Sequence, residues 1–173
     1  MRCFISISLP ERIKKEIFDI QEKLPKFDGK LTERENLHLT LKFLGEIDGE
    51  RMGEIKTQLK KIKGKSFHAS INSIGAFSKS FPRIIWLEIK GVEELQKSID
   101  ESLAGIFRKE KRFMGHLTVA RVKRVIDKST FFEYLSRIEL EKISFKVDKF
   151  CLMKSTLTPK GPLYEEIEGY PLI

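Results

Sequence analysis

A short pattern that carries histidine and threonine occurs twice in this 173-residue chain. His38 and Thr40 stand two positions apart among leucines, and His116 and Thr118 repeat the spacing between apolar residues. Residues two apart on a β-strand point to the same side of it. We therefore expect each copy to form a strand that presents an imidazole and a hydroxyl on one face and apolar side chains on the other.

Strict alternation also predicts what lies behind each histidine. The face opposite His38 would carry four apolar side chains: Leu37, Leu39, Leu41 and Phe43. The same rule places Arg121 on the side of the second strand that faces away from His116. Only a β-bulge or the end of the strand would turn Arg121 towards the histidine.

Two imidazoles that face each other across a cleft can divide acid–base catalysis between them. One takes a proton from water while the other gives a proton to a leaving alkoxide, and histidine suits both roles because its pKa lies near neutrality. The threonine hydroxyls can donate hydrogen bonds to an anionic group between the rings. A phosphodiester fits this arrangement, because it offers two non-bridging oxygens to two hydroxyls. No step of this chemistry requires a metal.

Other uses of the histidines are less well supported. A metal site lacks a cysteine or carboxylate at ligand spacing beside them. A serine–histidine–aspartate triad lacks both a Gly-x-Ser-x-Gly motif and an orienting acid. The third histidine, His68, has no threonine two positions on, and we expect it to be structural or solvent-facing. A lone strand histidine is more often structural than catalytic, so the case for catalysis depends on the repetition.

Hydrophobic periodicity predicts the elements that must position these residues. Alternation and β-branched residues predict strands over 2–9, 37–44, 67–77, 83–90, 116–122, 142–154 and 163–170. A turn is expected at 78–82, and apolar residues at helical spacing predict four helices within 13–24, 52–62, 95–106 and 132–138.

The order strand, helix, histidine strand, helix, strand recurs loosely around each motif. We therefore predict an α+β fold in which residues 1–173 form a single domain of two pseudo-symmetric lobes. Each lobe would be an antiparallel sheet with helices outside, and each would direct one His-x-Thr strand into a central cleft.

Composition restricts the partners and the compartment. The formal net charge of +8 favours a polyanion such as RNA, although a solvated surface rich in lysine and glutamate would also explain it. Neither a long apolar run nor a signal peptide is evident, so we expect a cytoplasmic protein without membrane contact. We infer no protein partner and expect a monomer. The two cysteines are expected to be buried free thiols. Abundant lysine, glutamate and isoleucine are typical of proteins from hot environments.

The two motifs resemble those of the two-histidine phosphoesterase superfamily, and within it the RNA 2′,3′-cyclic phosphodiesterase family, formerly named 2′-5′ RNA ligases. The signatures that carry the resemblance are HLTLKFLGE at 38–46 and HLTVAR at 116–121. Stretches at 2–7, 82–87 and 155–164 support it, so the resemblance covers nearly the whole chain.

The resemblance implies hydrolysis of a 2′,3′-cyclic phosphate at an RNA end to a 2′-phosphate and a 3′-hydroxyl, and we expect no cofactor or metal. It implies that His38 is the general acid and His116 the general base that activates water, while Thr40 and Thr118 hold the phosphate. It further implies a phosphate contact from Arg121, in conflict with strict alternation.

The sequence is compatible with more than one base-stacking residue and more than one function. A base at the RNA end could stack on one of five aromatic residues: Phe43, Phe77, Phe81, Trp86 and Tyr164. Arg83 is either a further contact to the phosphate or a surface charge beside a turn. The same residues could instead join RNA ends through a 2′-5′ bond, with a 5′-hydroxyl replacing water. A non-catalytic module that binds RNA or nucleotides is the remaining alternative.

Overall fold

The structure is a computed structural model that describes residues 1–78 and 80–173, within which the chain forms nine β-strands and four α-helices. The strands are β1 Arg2–Ser8, β2 Asp28–Leu31, β3 His38–Glu46, β4 Phe67–Phe77, β5 Ile84–Lys90, β6 His116–Arg124, β7 Ile143–Val147, β8 Lys149–Thr158 and β9 Gly161–Pro171. The helices are α1 Glu11–Glu22, α2 Gly49–Leu59, α3 Glu93–Ser102 and α4 Lys128–Ser136, and a short 3-10 helix spans Arg34–Asn36.

The strands form two sheets in which every neighbouring pair is antiparallel. The first sheet has the order β3-β1-β8-β9, and the second has the order β2-β6-β5-β4-β7. This confirms the predicted α+β class with two antiparallel sheets. The sheets do not coincide with the halves of the chain, because β4 belongs to the second sheet and the β8–β9 hairpin completes the first.

The two histidine strands occupy equivalent places. β3 borders the first sheet beside β1, and β6 lies beside β5 in the second sheet, where the additional edge strand β2 flanks it. The pattern of buried and exposed residues is the same at all nine positions of β3 and β6. The two strands are also in contact with each other, so the two motifs meet across the interface between the sheets.

Helices α1 and α3 each pack against a strand from the other half of the chain. α1 follows β1 in sequence but packs against β6, whereas α3 follows β5 but packs against β3. Pro10 precedes the first turn of α1, where a fixed φ suits helix initiation. Ile13 and Ile17 on α1, like Leu95 and Ile99 on α3, are buried in the single core cluster.

Two predicted elements differ from the structure, and one strand was not predicted. The expected long strand at 142–154 is two strands, β7 and β8, which separate at Asp148 and enter different sheets. The third helix ends at Ser102 and continues only as a turn, and β2 was not predicted because its four residues are all exposed at a sheet edge. The turn predicted at 78–82 includes Lys79, which lies outside the described residues.

Both cysteines are free and buried, as predicted. Burial raises the pKa of Cys151 to about 11, so its thiol is inert at neutral pH. Within the described part of the chain, no helix combines the length and the apolar character that crossing a bilayer requires.

Candidate active site

Both motifs line one cleft of about 610 Å³ between the two sheets. His38 and Thr40 reach it from β3, while His116, Thr118 and Arg121 reach it from β6. The structure therefore brings all five predicted site residues together. A volume of this size is in the range of ordinary small-ligand sites.

The His38 ring is fixed by two polar contacts. Its Nδ1 lies 2.7 Å from the carbonyl oxygen of Asn36, and its Nε2 lies 3.0 Å from Thr40 Oγ1. A carbonyl oxygen only accepts hydrogen bonds, so Nδ1 carries a proton. In the neutral ring Nε2 is then an acceptor, and in the protonated ring it becomes a donor on the threonine side.

Two aromatic side chains flank the His38 ring. Phe4 and Tyr164 have ring centroids 5.0 and 4.8 Å from that of the imidazole. Burial lowers the pKa of His38, the hydrogen bond to Asn36 opposes this effect, and the positive charge of Arg121 lowers the pKa further. Without a bound anion, the neutral form of His38 is therefore favoured.

His116 has a related but less enclosed setting. Its Nδ1 lies 3.0 Å from the carbonyl oxygen of Met114, which fixes the same tautomer as in His38. Phe77 contacts the ring edge-on, with centroids 5.0 Å apart. Among the described residues Nε2 has no hydrogen-bond partner, so this nitrogen can accept a proton from a water molecule in the cleft.

A β-bulge in each histidine strand changes which residues face the cleft. Ser6 pairs with Thr40 and Ile5 with Lys42, which leaves Leu41 as the extra residue in β3. Pairing of Trp86 with Thr118 and of Ile85 with Ala120 leaves Val119 as the extra residue in β6. Beyond each bulge the alternation is shifted by one position.

The bulges correct two predictions made from strict alternation. Phe43 does not share the leucine face but is 68% exposed and lines the cleft. Arg121 does not point away from His116 but lines the cleft as well. Phe43 and Arg121 are thus equivalent residues of the two motifs, and one offers an aromatic ring where the other offers a guanidinium.

The charge of Arg121 acts across the cleft. Besides its effect on His38, it opposes the burial that raises the pKa of Tyr164, and both of these residues belong to the first sheet. A cation beside two imidazoles and two threonine hydroxyls favours an anion at the centre of the cleft.

Buried polar side chains from the helices support both bulges, and the sequence analysis did not identify them. Gln21 on α1 donates through Nε2 to the carbonyl oxygen of the bulge residue Val119, at 2.9 Å, and to that of Thr32, at 3.0 Å. Gln21 follows Ile13 and Ile17 at helical spacing, and a polar residue in an apolar stripe was the available signal.

The other bulge is held by an ion pair. Lys42, which follows the bulge residue Leu41, places its Nζ 2.6 Å from Asp100 Oδ1 on α3 and 2.8 Å from the carbonyl oxygen of Arg108. Burial alone would raise the pKa of Asp100, but hydrogen bonds from Lys42, the Glu110 N–H and Gln96 outweigh it and lower the pKa. This site therefore holds a charged carboxylate.

The five aromatic candidates occupy different places. Phe43 and Tyr164 line the cleft, Phe77 contacts His116, and Trp86 lies against Phe77 with centroids 5.5 Å apart. Phe81 lies outside the cleft lining and is 48% exposed. Phe43 is therefore the cleft aromatic with the most surface free for a base.

The third histidine, His68, is exposed on β4, where it pairs with Lys146 of β7. In the described residues, no group of three or more histidine, cysteine, aspartate or glutamate side chains is arranged to hold a metal ion. Two imidazoles, two hydroxyls and a guanidinium in one cleft can together bind an anion and transfer protons to and from it.

Known proteins are similar to this chain in sequence and architecture. A family model described as LigT like Phosphoesterase matches residues 7–86 and 88–164. A relative from Methanocaldococcus jannaschii, named RNA 2′,3′-cyclic phosphodiesterase, is 39% identical over 178 residues, which cover 98% of this chain and 100% of the relative. A Thermotoga maritima relative with the same name is 36% identical over 174 residues, covering 95% and 92%. The crystal structure of TT0787 of Thermus thermophilus superimposes with a TM-score of 0.85 at 26% identity, covering 99% and 98% of the two chains.

Proposed function

Because the chain belongs to the LigT-like phosphoesterase family, we propose that it hydrolyses the 2′,3′-cyclic phosphate at an RNA end to a 2′-phosphate and a free 3′-hydroxyl. One observation carries the proposal. Each imidazole has its Nδ1 fixed on a backbone carbonyl and lines one cleft that also contains Arg121, where Nε2 of His38 is hydrogen-bonded to Thr40 Oγ1. The names of the two relatives agree with this substrate class.

Each imidazole carries out one of the two proton transfers in the reaction. His116 Nε2 takes a proton from water as the water oxygen forms its bond to phosphorus. The bond from phosphorus to O3′ breaks, and O3′ receives a proton from Nε2 of His38. His116 is then protonated and His38 neutral, and proton exchange with solvent restores both.

The phosphate is bound by groups that follow each histidine. The hydroxyls of Thr40 and Thr118 donate to its non-bridging oxygens, and the guanidinium of Arg121 balances its negative charge. An anion in the cleft also offsets the effect of Arg121 on His38. The bound substrate therefore raises the pKa of His38 towards the protonated form that a general acid requires.

Phe43 is assigned to the base of the terminal nucleotide. Its ring is largely exposed and lines the same cleft, so a base can stack on it while the phosphate lies between the histidines.

The test uses a short RNA with a 2′,3′-cyclic phosphate end. His38→Ala and His116→Ala are each expected to reduce hydrolysis by at least about 100-fold, since each removes one proton-transfer group. His68→Ala is the matched control, because this exposed histidine lies outside the cleft and should retain activity. Full turnover in either motif variant would refute the proposal, provided that circular dichroism shows a folded protein.

The two alternatives give different results in the same assay. A non-catalytic binding module predicts no turnover by the wild-type protein and almost no change in RNA affinity when a histidine is lost. End joining predicts a longer product when an RNA with a 5′-hydroxyl is supplied at high concentration.

A further inference from the structure

The second histidine strand continues beyond the cleft as a row of cations. Val122 is buried behind β6, whereas its neighbours Arg121 and Lys123 are both exposed, and Lys123 is the residue left without a partner in the pairing with β2. Arg124 is exposed at the end of the strand, beyond a second irregularity in its pairing with β2. Positive charge therefore extends from the cleft to its outer margin.

Two further cations meet an aromatic ring beside this margin. The carbonyl oxygen of Arg83 accepts a hydrogen bond from Val122 N at 2.7 Å, which fixes Arg83 next to the end of β6. The Arg83 guanidinium lies 4.7 Å from the centroid of Phe81, and Lys128 Nζ at the start of α4 lies 5.8 Å from the same centroid. About half of Phe81 stays exposed, since its relative accessibility is 48%. We call Phe81, Arg83, Lys123, Arg124 and Lys128 the basic rim.

Arg124 has Asp28 of β2 as its cross-strand neighbour, whereas no carboxylate is paired with Arg83, Lys123 or Lys128 in the described part of the chain. Among the residues that the structure describes, none of the four forms an ion pair, whereas Lys30 at the opposite side of β6 is paired with Glu33. The nearest acid along the chain, Asp127, accepts hydrogen bonds from Thr130 N and Oγ1 as the cap of α4. Uncompensated cations around a half-exposed ring are the features that bind single-stranded nucleic acid.

We propose that the basic rim binds the backbone of a single-stranded RNA on the 5′ side of its cyclic-phosphate end. This inference deepens the proposed function and rests on it. The rim continues the strand that carries Arg121, so a chain whose last phosphate is held in the cleft can pass directly onto it. Lys123, Arg83 and Lys128 contact backbone phosphates, and the exposed part of Phe81 contacts a base. The preferred substrate is therefore an oligonucleotide rather than a single cyclic nucleotide.

The experiment compares two substrates in two variants of equal charge. The rim variant carries Arg83→Gln, Lys123→Gln and Lys128→Gln. The control carries Lys15→Gln, Lys97→Gln and Lys142→Gln, three exposed lysines that lie outside the cleft and form no ion pair among the described residues. The substrates are a nucleoside 2′,3′-cyclic phosphate and an RNA of about eight nucleotides with the same end, which covers a typical single-strand site.

We expect the rim variant to lower the ratio of kcat/KM for the oligonucleotide to that for the mononucleotide by at least about tenfold. The logarithmic salt dependence of oligonucleotide kcat/KM should become less steep by about 2, since three phosphate contacts are lost. The control should keep the wild-type ratio. An unchanged ratio in the rim variant, or an equal fall in the control, would overturn the proposal.

Failure of the proposed function gives a different result, because the wild-type protein would then hydrolyse neither substrate. In that case the same three proteins are compared by fluorescence anisotropy with a labelled RNA that ends in a 2′-phosphate. Weaker binding by the rim variant alone would still support the basic rim, and equal binding by all three would refute it.

Discussion

The two histidines share a tautomer and a position on their strands, but their surroundings differ. His38 lies between Phe4 and Tyr164 and close to the charge of Arg121, whereas His116 contacts a single aromatic ring, Phe77, among the described residues. The sequence predicted the shared features, because period-two alternation is local to each motif. It could not predict the difference, because the side chains that produce it come from distant parts of the chain.

The first prediction concerns the charge next to His38. Arg121→Gln removes a cation that lowers the pKa of His38, so this pKa should rise in the free protein. A general acid is active only while protonated, and activity is lost as the pH rises through its pKa. The high-pH limb of kcat/KM should therefore move to higher pH, while kcat/KM itself falls by about 100-fold because a phosphate contact is lost.

An NMR titration of the His38 imidazole measures the same change without turnover. Arg51→Gln, which removes an exposed cation on α2 outside the cleft, serves as the control and should leave the titration curve in place. A lower or unchanged His38 pKa in Arg121→Gln would contradict the electrostatic account.

Among the structural elements, the two β-bulges determine which side chains face the cleft. Strands, helices and the inward histidines followed from periodicity, but Leu41 and Val119 give no local sign that they are extra residues. A bulge depends on the register between a strand and its neighbour, which is fixed by packing. The split of 142–154 did leave a local sign, because two successive polar residues, Asp148 and Lys149, interrupt the alternation where the two strands separate and enter different sheets.

The second prediction tests the support of the bulge in β6. Gln21→Met keeps the size of the side chain but removes one of two donors to Val119 O, the other being the N–H of Thr32 at 2.9 Å, and we expect the bulge to shift and Arg121 to lose its place in the cleft. We expect kcat/KM to fall by about tenfold, because a displacement of about 1 Å at a site can cost up to about 100-fold. In the Arg121→Gln background, the same substitution should cost almost nothing more.

This non-additivity separates positioning from general destabilisation. Gln96→Met is the matched control, because it removes another buried glutamine, one that bonds Asp100 on α3 rather than the bulge in β6. Its effect on kcat/KM should be additive with Arg121→Gln. Fully additive losses for Gln21→Met would mean that Gln21 does not act through Arg121.

In the whole molecule, the two sheets are held together because each half of the chain packs a helix against the histidine strand of the other half. α1 and α3 each pack against the histidine strand of the other half, and Lys42 joins β3 to Asp100 and to the segment that leads into β6. The internal repeat predicted two related sheets around a cleft. It did not predict this packing between halves, because the pairing of helices with sheets is not encoded in either copy alone.

The third prediction concerns this connection. Lys42 and Asp100 are 3% and 5% exposed, so Lys42→Met leaves a buried carboxylate without its cation. The free energy of unfolding, measured by urea denaturation, should fall by about 3–5 kcal/mol. Lys60→Met is the control, because it breaks an ion pair with Glu168 in which the lysine is largely exposed, and it should cost less than about 1 kcal/mol. Equal losses in the two variants would show that the buried pair does not hold the halves together.

The position of the phosphate in the product shows which bond of the cyclic phosphate is broken. An RNA with a 2′,3′-cyclic phosphate end is incubated with the wild-type protein in the presence of a metal chelator, and the terminal nucleotide is identified by chromatography after digestion. If His116 activates water and His38 protonates O3′, the only product is a 2′-phosphate beside a free 3′-hydroxyl. A 3′-phosphate, or an unchanged cyclic end, would contradict the account.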